Sequence, residues 1–275
     1  MIQIIKSFAA ICFMAIIFTA CTKDVKETVQ PDVSEQTLAQ IKSLGFGTEN
    51  VQKIDEGYLV EGDIILTENN LSNRPTSPYL IVAQEEQYNT FNLVSVPKHP
   101  TVKIALSNSS SAHEAAFSAA LDNSIARYNA ENLQITFQRV TTGADITVVA
   151  YYEVSNVLGS AGFPTSTGDP YSQVKMNTYH YATGTDAVNT NYISTIMSHE
   201  FGHCVGMRHT DYKNRSYSCG GLPSNEGQTK NGVGAVHIPG TPTSGDPNSW
   251  MLACVGKNVN RPFNANDKIA LAFLY

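Results

Sequence analysis

The stretch His199-Glu200-Phe201-Gly202-His203-Cys204-Val205-Gly206-Met207-Arg208-His209 constrains this chain more than any other. It fits H-E-x-x-H-x-x-G-x-x-H, a pattern that calls for a helix, a break after it and a return of the chain. Residues four apart share one helix face, so His199 and His203 can present imidazoles to one metal ion from consecutive turns. Glu200 then points beside that ion, where a carboxylate can take a proton without using a coordination position. Gly206 permits the left-handed conformation that ends a helix, and the returning chain brings His209 round as a third ligand. Three imidazoles leave the fourth corner of a tetrahedral Zn2+ open, which is the pattern of a catalytic site. Chance supplies a bare H-E-x-x-H in a chain of this length about once in a hundred, and the glycine and third histidine make coincidence rarer by roughly several hundredfold.

The flanks agree. Asn189 and Thr190 are capping residue types, and Tyr192, Ile193, Ile196, Met197, Phe201 and Cys204 recur at three- and four-residue spacing. A helix packed on that face is buried and rigid, as a metal site requires.

The string resembles the zinc-binding signature of metzincins, and with Thr210-Asp211 after it, it is similar to the dual-action HEIGH metallopeptidase family, with Phe201 in place of that family's isoleucine. The resemblance implies zinc ligation by His199, His203 and His209, Glu200 as general base, and a methionine turn at Ser249-Trp250-Met251, with Met251 below the zinc. It also implies an α+β fold: a twisted mixed sheet with an active-site helix, then an irregular C-terminal half with the methionine turn and a terminal helix. Some metzincins place a tyrosine two residues after that methionine; here the position holds Ala253.

Lys6 precedes an apolar run from Phe8 to Ala20, too short for a spanning helix, which reads as a removable export signal over 1–20. Phe18-Thr19-Ala20-Cys21 resembles the lipobox of bacterial lipoproteins, which implies lipidation at Cys21; an ordinary secretory signal cut nearby is the other reading. Both place the mature protein outside the cytoplasm; the lipoprotein reading puts it on the cell envelope or surface, with release on processing. A polar tether over 21–36 follows, then a pro-like segment over 37–98 and the catalytic domain over 99–275. The pro-like segment holds a short helix around Leu38, Ile41 and Leu44, and a strand from Tyr58 to Thr67 interrupted at Glu61-Gly62-Asp63. That interruption is similar to the Gly-Asp motif of astacin propeptides, which implies that Asp63 is an inhibitory zinc ligand; a tight turn accounts for the same residues.

From Val102 strand and helix alternate: a strand over 102–106, a helix through Ala115 to Ala126, and strands at Ile135–Phe137 and Ile146–Val149. His113, near the start of that helix, reads as a surface residue. Gly159 to Pro164 and Gln173 to Thr178 resemble the edge strand and its neighbour along a metzincin cleft. An edge strand can take an extended polypeptide as an added strand, which points to a protein or peptide substrate.

Once Cys12 of the discarded signal and Cys21 are set aside, Cys204, Cys219 and Cys254 remain, and export favours one bridge among them. Cys219 with Cys254 would clamp a long Gly/Pro-rich loop and leave Cys204 a buried thiol, though other pairings stay open. Asn264 and Asp267 stand at capping positions before Ile269, Ala270, Phe273 and Leu274 at helical spacing. A net charge of -6 and the lack of a basic run argue against nucleic acid as a partner. The expectation is a monomeric zinc endopeptidase; the alternative is a non-catalytic surface lipoprotein that binds peptides and holds a structural zinc.

Overall fold

A computed structural model describes residues 33–44, 46–72, 87–107, 112–221, 234–242 and 245–275. The signal over 1–20, Cys21 and most of the tether lie outside them. Residues 31–275 form one of two compact units, and all the described residues belong to it.

Ser34 caps helix α1 (Glu35–Ser43) by accepting from the amide of Thr37 at 3.1 Å. Strands β1 (Gln52–Ile54), β2 (Gly57–Val60) and β3 (Ile64–Leu66) then form an antiparallel sheet in that order. Every residue of β2 and β3 is buried, so these strands cannot show the alternation of a half-exposed sheet. Their apolar side chains pack with Ile41, Leu44 and Phe46, with Leu71 of α2 (Glu68–Ser72), and with Phe163 from much later in the chain. Between β2 and β3 the chain turns through Glu61 (φ 56) and Gly62 (φ 91).

After β4 (Tyr88–Asn89) comes the main sheet, built from β5 (Thr101–Leu106), β6 (Thr136–Arg139), β7 (Ile146–Tyr151), β8 (Gly159–Ser160) and β9 (Gln173–Asn177). The order is β6-β5-β7-β9-β8; β8 alone runs antiparallel, along the edge. Helix α3 (Glu114–Asn129) crosses between β5 and β6 and packs on α4 (Ala187–Cys204). Val102, Ile104, Ile146, Val148, Val174 and Met176 of the sheet share one core with the apolar faces of both helices. The hydroxyl of Tyr128 donates to Ser198 O at 2.8 Å and joins the two helices across that core.

Helix α4 begins earlier than Asn189 and Thr190 suggest. Asp186 accepts from the amides of Val188 and Asn189, both at 3.1 Å, while the Asn189 side chain donates to Ala182 O and Gly184 O and ties down the preceding loop. His113 is half-buried, its Nε2 lying 3.0 Å from Tyr181 O, so it is not the surface residue its isolation in sequence suggests.

Beyond α4 regular structure is sparse among the described residues: α5 (Ser216–Cys219), β10 (Val236–His237) paired with β4, and α6 (Ala265–Leu274). Asn264 and Asp267 form a capping box at the start of α6. The architecture is therefore the expected α+β one: a twisted mixed sheet, the motif helix packed against it, and an irregular half closed by a terminal helix.

Candidate metal and active site

His199 and His203 lie on the last turns of α4, and His209 on the loop that returns from it. Gly206 makes that return, at φ 105, and a Cβ there would meet Leu93 and Asn92 O within 2.9 Å. The segment after β4 straps the loop in place: Thr90 N donates to Gly206 O and Arg208 N to Tyr88 O, both at 2.8 Å. Thr210 N donates to Met251 O at 2.9 Å.

Each helix histidine has its outer nitrogen engaged. His199 Nδ1 donates to Trp250 O and His203 Nδ1 to Met207 O, both at 2.9 Å, and these carbonyls assign the proton to Nδ1. The Nε2 atoms then carry lone pairs and face a common point. His203 Nε2 and His209 Nε2 are 3.2 Å apart, close to the ~3.3 Å that two nitrogens keep on a tetrahedral zinc. His199 Nε2 is buried without a hydrogen-bond partner, an arrangement that costs free energy unless a cation takes the lone pair. Burial, and then the neighbouring imidazoles, hold His203 well below its ordinary pKa, so the ring is neutral and available as a ligand. This donor set fits zinc.

Asp63 completes the cluster; its carboxylate and the three imidazoles offer ligand atoms all within 4.8 Å of one another. Asp63 Oδ2 is 3.0 Å from His209 Nε2 and 3.4 Å from His199 Nε2. Burial opposes charge on Asp63, but positive charge at His209 and then His199 outweighs it and holds the carboxyl well below the usual range, a charge that a metal ion on their Nε2 atoms would supply in its place. The backbone beside it pairs with the sheet edge: Ala161 N donates to Asp63 O at 2.9 Å and Ile65 N to Ala161 O at 2.7 Å. The hairpin thus lies where an added strand would lie.

Glu200 is buried next to the cluster, with Oε2 unpartnered. Burial, and then the charge of Asp63, push its carboxyl well above the ordinary value. Its nearest constraint is Gly159 on edge strand β8, where a Cβ would come 2.9 Å from Glu200 Oε1. A cavity of about 830 Å³ opens from this point, lined among others by Gly159, His180 and Trp250.

Met251 is fully buried against the motif helix, and its Sδ would stand 2.5 Å from a Cβ on Gly202. Glycine in the second free position of H-E-x-x-H is therefore what lets the turn approach the helix. A disulfide joins Cys219 to Cys254, and Cys204 is a buried free thiol. The bridge ties α5 to the chain just after the methionine turn.

Sequence reading missed Gly202, Gly159, and the pairing of Arg208 with Glu61. The motif holds an arginine beside its third histidine, and a charge in so apolar a setting was the available sign that a carboxylate must meet it.

A family model described as dual-action HEIGH metallo-peptidase matches residues 59–275. The match starts ahead of Glu61 and Asp63 and runs through every residue of the site. A search of curated proteins finds no match. Among solved structures, that of myroilysin is similar at 19% identity and a TM-score of 0.39, covering 64% of this chain and 92% of that one.

Proposed function

The chain belongs to the dual-action HEIGH metallopeptidase family, and on that premise we propose that it is an exported zinc-dependent endopeptidase that His199, His203 and His209 load with metal and Glu200 serves as proton carrier. The observation that carries this reading is the convergence of three Nε2 atoms beside a buried carboxylate with an unpartnered oxygen. A purely structural site has no use for that carboxylate. Zinc bound there supplies Lewis acidity, which lowers the pKa of a coordinated water to about 7 and polarises a peptide carbonyl. Glu200 accepts the water's proton and hands it to the departing amine. Trp250 O and Met207 O keep the imidazoles of His199 and His203 in register throughout. Strand β8 and Ala161 hold the substrate backbone as an added strand, so side-chain preference comes from pockets around it.

In the same reading the segment before residue 99 keeps the enzyme latent. Asp63 takes the place of the attacking water, and the hairpin carrying it occupies the edge that substrate needs. Export and a lipid on Cys21 complete the proposal; the mass of the mature protein reports both.

Two substitutions test it on the zinc-loaded full chain with casein as substrate. Asp63→Ala raises turnover, and Glu200→Ala added to that variant retains one zinc per chain and loses nearly all of it. Equal activity in Glu200→Ala refutes the assignment of the proton carrier. Activity unchanged by Asp63→Ala refutes the latch.

A further inference from the structure

The two carbonyls that orient the helix histidines, Met207 O and Trp250 O, are both held by one stretch of chain, Gln87 to Thr90. On the loop side the pairing is backbone to backbone. Thr90 N donates to Gly206 O and Arg208 N to Tyr88 O, both at 2.8 Å, and Asn89 stands opposite Met207 in antiparallel register. Those bonds flank the Asn89 and Met207 pair, whose own polar backbone groups therefore point away from each other. Met207 O is thus turned toward the helix, where His203 Nδ1 meets it at 2.9 Å. The Thr90 hydroxyl donates to Asn92 O at 2.6 Å and lies 3.3 Å from Gly206 O, which closes this end.

On the turn side a side chain makes the contact. Gln87 is 0% exposed, and its Nε2 donates to Asp267 Oδ1 at 2.7 Å and to Ser249 Oγ at 3.2 Å. Those two acceptors also fix the methionine turn: Trp250 N donates to Asp267 Oδ2 and Met251 N to Ser249 Oγ, both at 3.2 Å. Trp250 O in turn accepts from His199 Nδ1. The stretch is anchored at further points, with Ile238 N donating to Gln87 O at 2.8 Å, Val94 N to the Tyr275 hydroxyl at 3.0 Å and Ser95 N to Gly168 O at 2.9 Å. Apart from Asn92, every partner named here lies after residue 99, and none belongs to the hairpin that carries Asp63.

We propose that Gln87 and Thr90 are positioning residues for the zinc site, which set the carbonyls that aim His199 and His203 before metal arrives. The metal-holding unit then begins at Gln87 and not at residue 99, and the latch is confined to the hairpin and the chain before it. This deepens the peptidase reading and rests on its assignment of zinc. Neither residue touches metal or substrate. Without the Gln87 amide, Asp267 Oδ1 and Ser249 Oγ lose a buried donor, the turn shifts to find another, and Trp250 O moves off His199.

The test measures zinc affinity of the full chain by competition against a chromophoric chelator, together with Tm of the zinc-free protein. Gln87→Met fills similar space without the amide and lowers zinc affinity about tenfold. Thr90→Val keeps both backbone bonds, loses the hydroxyl and lowers it about threefold. Gln87→Glu combined with Asp267→Asn exchanges carboxamide and carboxyl across the same contact, and restores affinity to within about threefold of native. A residue that only packs lowers Tm of the zinc-free protein and leaves the affinity of the folded protein alone. Unchanged affinity in Gln87→Met and Thr90→Val, or an exchanged pair that binds zinc no better than Gln87→Met, overturns the inference and leaves the peptidase reading standing. Where Gln87→Met does not fold, Thr90→Val decides: unchanged affinity overturns the inference. A native chain that takes up no zinc overturns the peptidase reading and this inference with it.

Discussion

Gly202→Ala isolates the contact between the motif helix and the methionine turn. The added methyl would stand 2.5 Å from Met251 Sδ and 3.3 Å from both Met251 Cε and Trp250 Cζ2. Met251 is 0% and Trp250 1% exposed, so neither side chain can swing into solvent. Overpacking of this kind costs about 1–3 kcal/mol, and alanine recovers about 1 kcal/mol of helix propensity over glycine. The net loss is about 0–2 kcal/mol, which for a chain of this size lowers Tm by no more than about 8 °C. The larger effect falls on the metal. Trp250 O holds His199 Nδ1, and Met251 O holds Thr210 N next to His209, so pushing the turn away tilts two of the three imidazoles. Disturbing such outer partners typically lowers metal affinity about 10- to 100-fold. Zinc competition against a chromophoric chelator reads that loss, and thermal scans of zinc-free protein read the stability. Adding Met251→Ala makes room for the methyl and should restore part of the affinity, a coupling that independent sites would not show. Unchanged zinc affinity together with a raised Tm would mean that helix propensity dominates and that the turn does not position the ligands.

Two further substitutions probe other parts of the site. Gly159→Ala places a methyl 2.9 Å from Glu200 Oε1 and 3.2 Å from Ile196 Cγ2, so it displaces the proton carrier and not the ligands. Turnover should fall on the order of 100-fold with zinc content unchanged, and loss of zinc instead would place the damage elsewhere. Asp267 concerns stability. Burial raises its carboxyl to about 6 against hydrogen bonds from the backbone of Asn264, the side chain of Ser249, the backbone of Trp250 and the side chain of Gln87. A folded pKa above the unfolded 3.8 means that folding favours the protonated form. The stability this group contributes is therefore present below about pH 4 and is lost as pH rises to about 6, by about 3 kcal/mol. Denaturant titrations of the native chain and Asp267→Asn across that window should show the native chain's relative stability declining by that order. A flat difference would contradict it.

Much of the site was legible because its information is local. The eleven-residue motif fixes helix, break and return within a few turns of chain, and His199, His203, His209 and Glu200 follow from helical spacing and one glycine. Part of the main sheet was legible for a similar reason, since β5 and β7 are largely apolar runs, whereas β9 alternates polar and apolar residues and was reached only through the family resemblance. What escaped is what depends on chain segments far apart. Glu61 and Arg208 are 147 residues distant in sequence, and nothing local says that the glutamate of a turn meets the arginine of a metal-binding loop. That meeting also accounts for Glu61 at φ 56, a left-handed conformation that a β-to-β turn accepts here because the side chain is anchored at its far end. Gly202 escaped because the motif treats its position as free, and only the approach of Met251 gives it a role. The start of α4 was misplaced because several capping residue types crowd together there. Asp186 takes the cap, which leaves Asn189 to bind the loop before it.

X-ray absorption at the zinc edge of the loaded full chain tests the central claim most directly. Three imidazole nitrogens and one carboxylate oxygen at about 2.0–2.1 Å are predicted, with Asp63→Ala exchanging the carboxylate for water and keeping all three imidazoles. Fewer than three imidazoles about the metal, or less than one zinc per chain after loading, would contradict it.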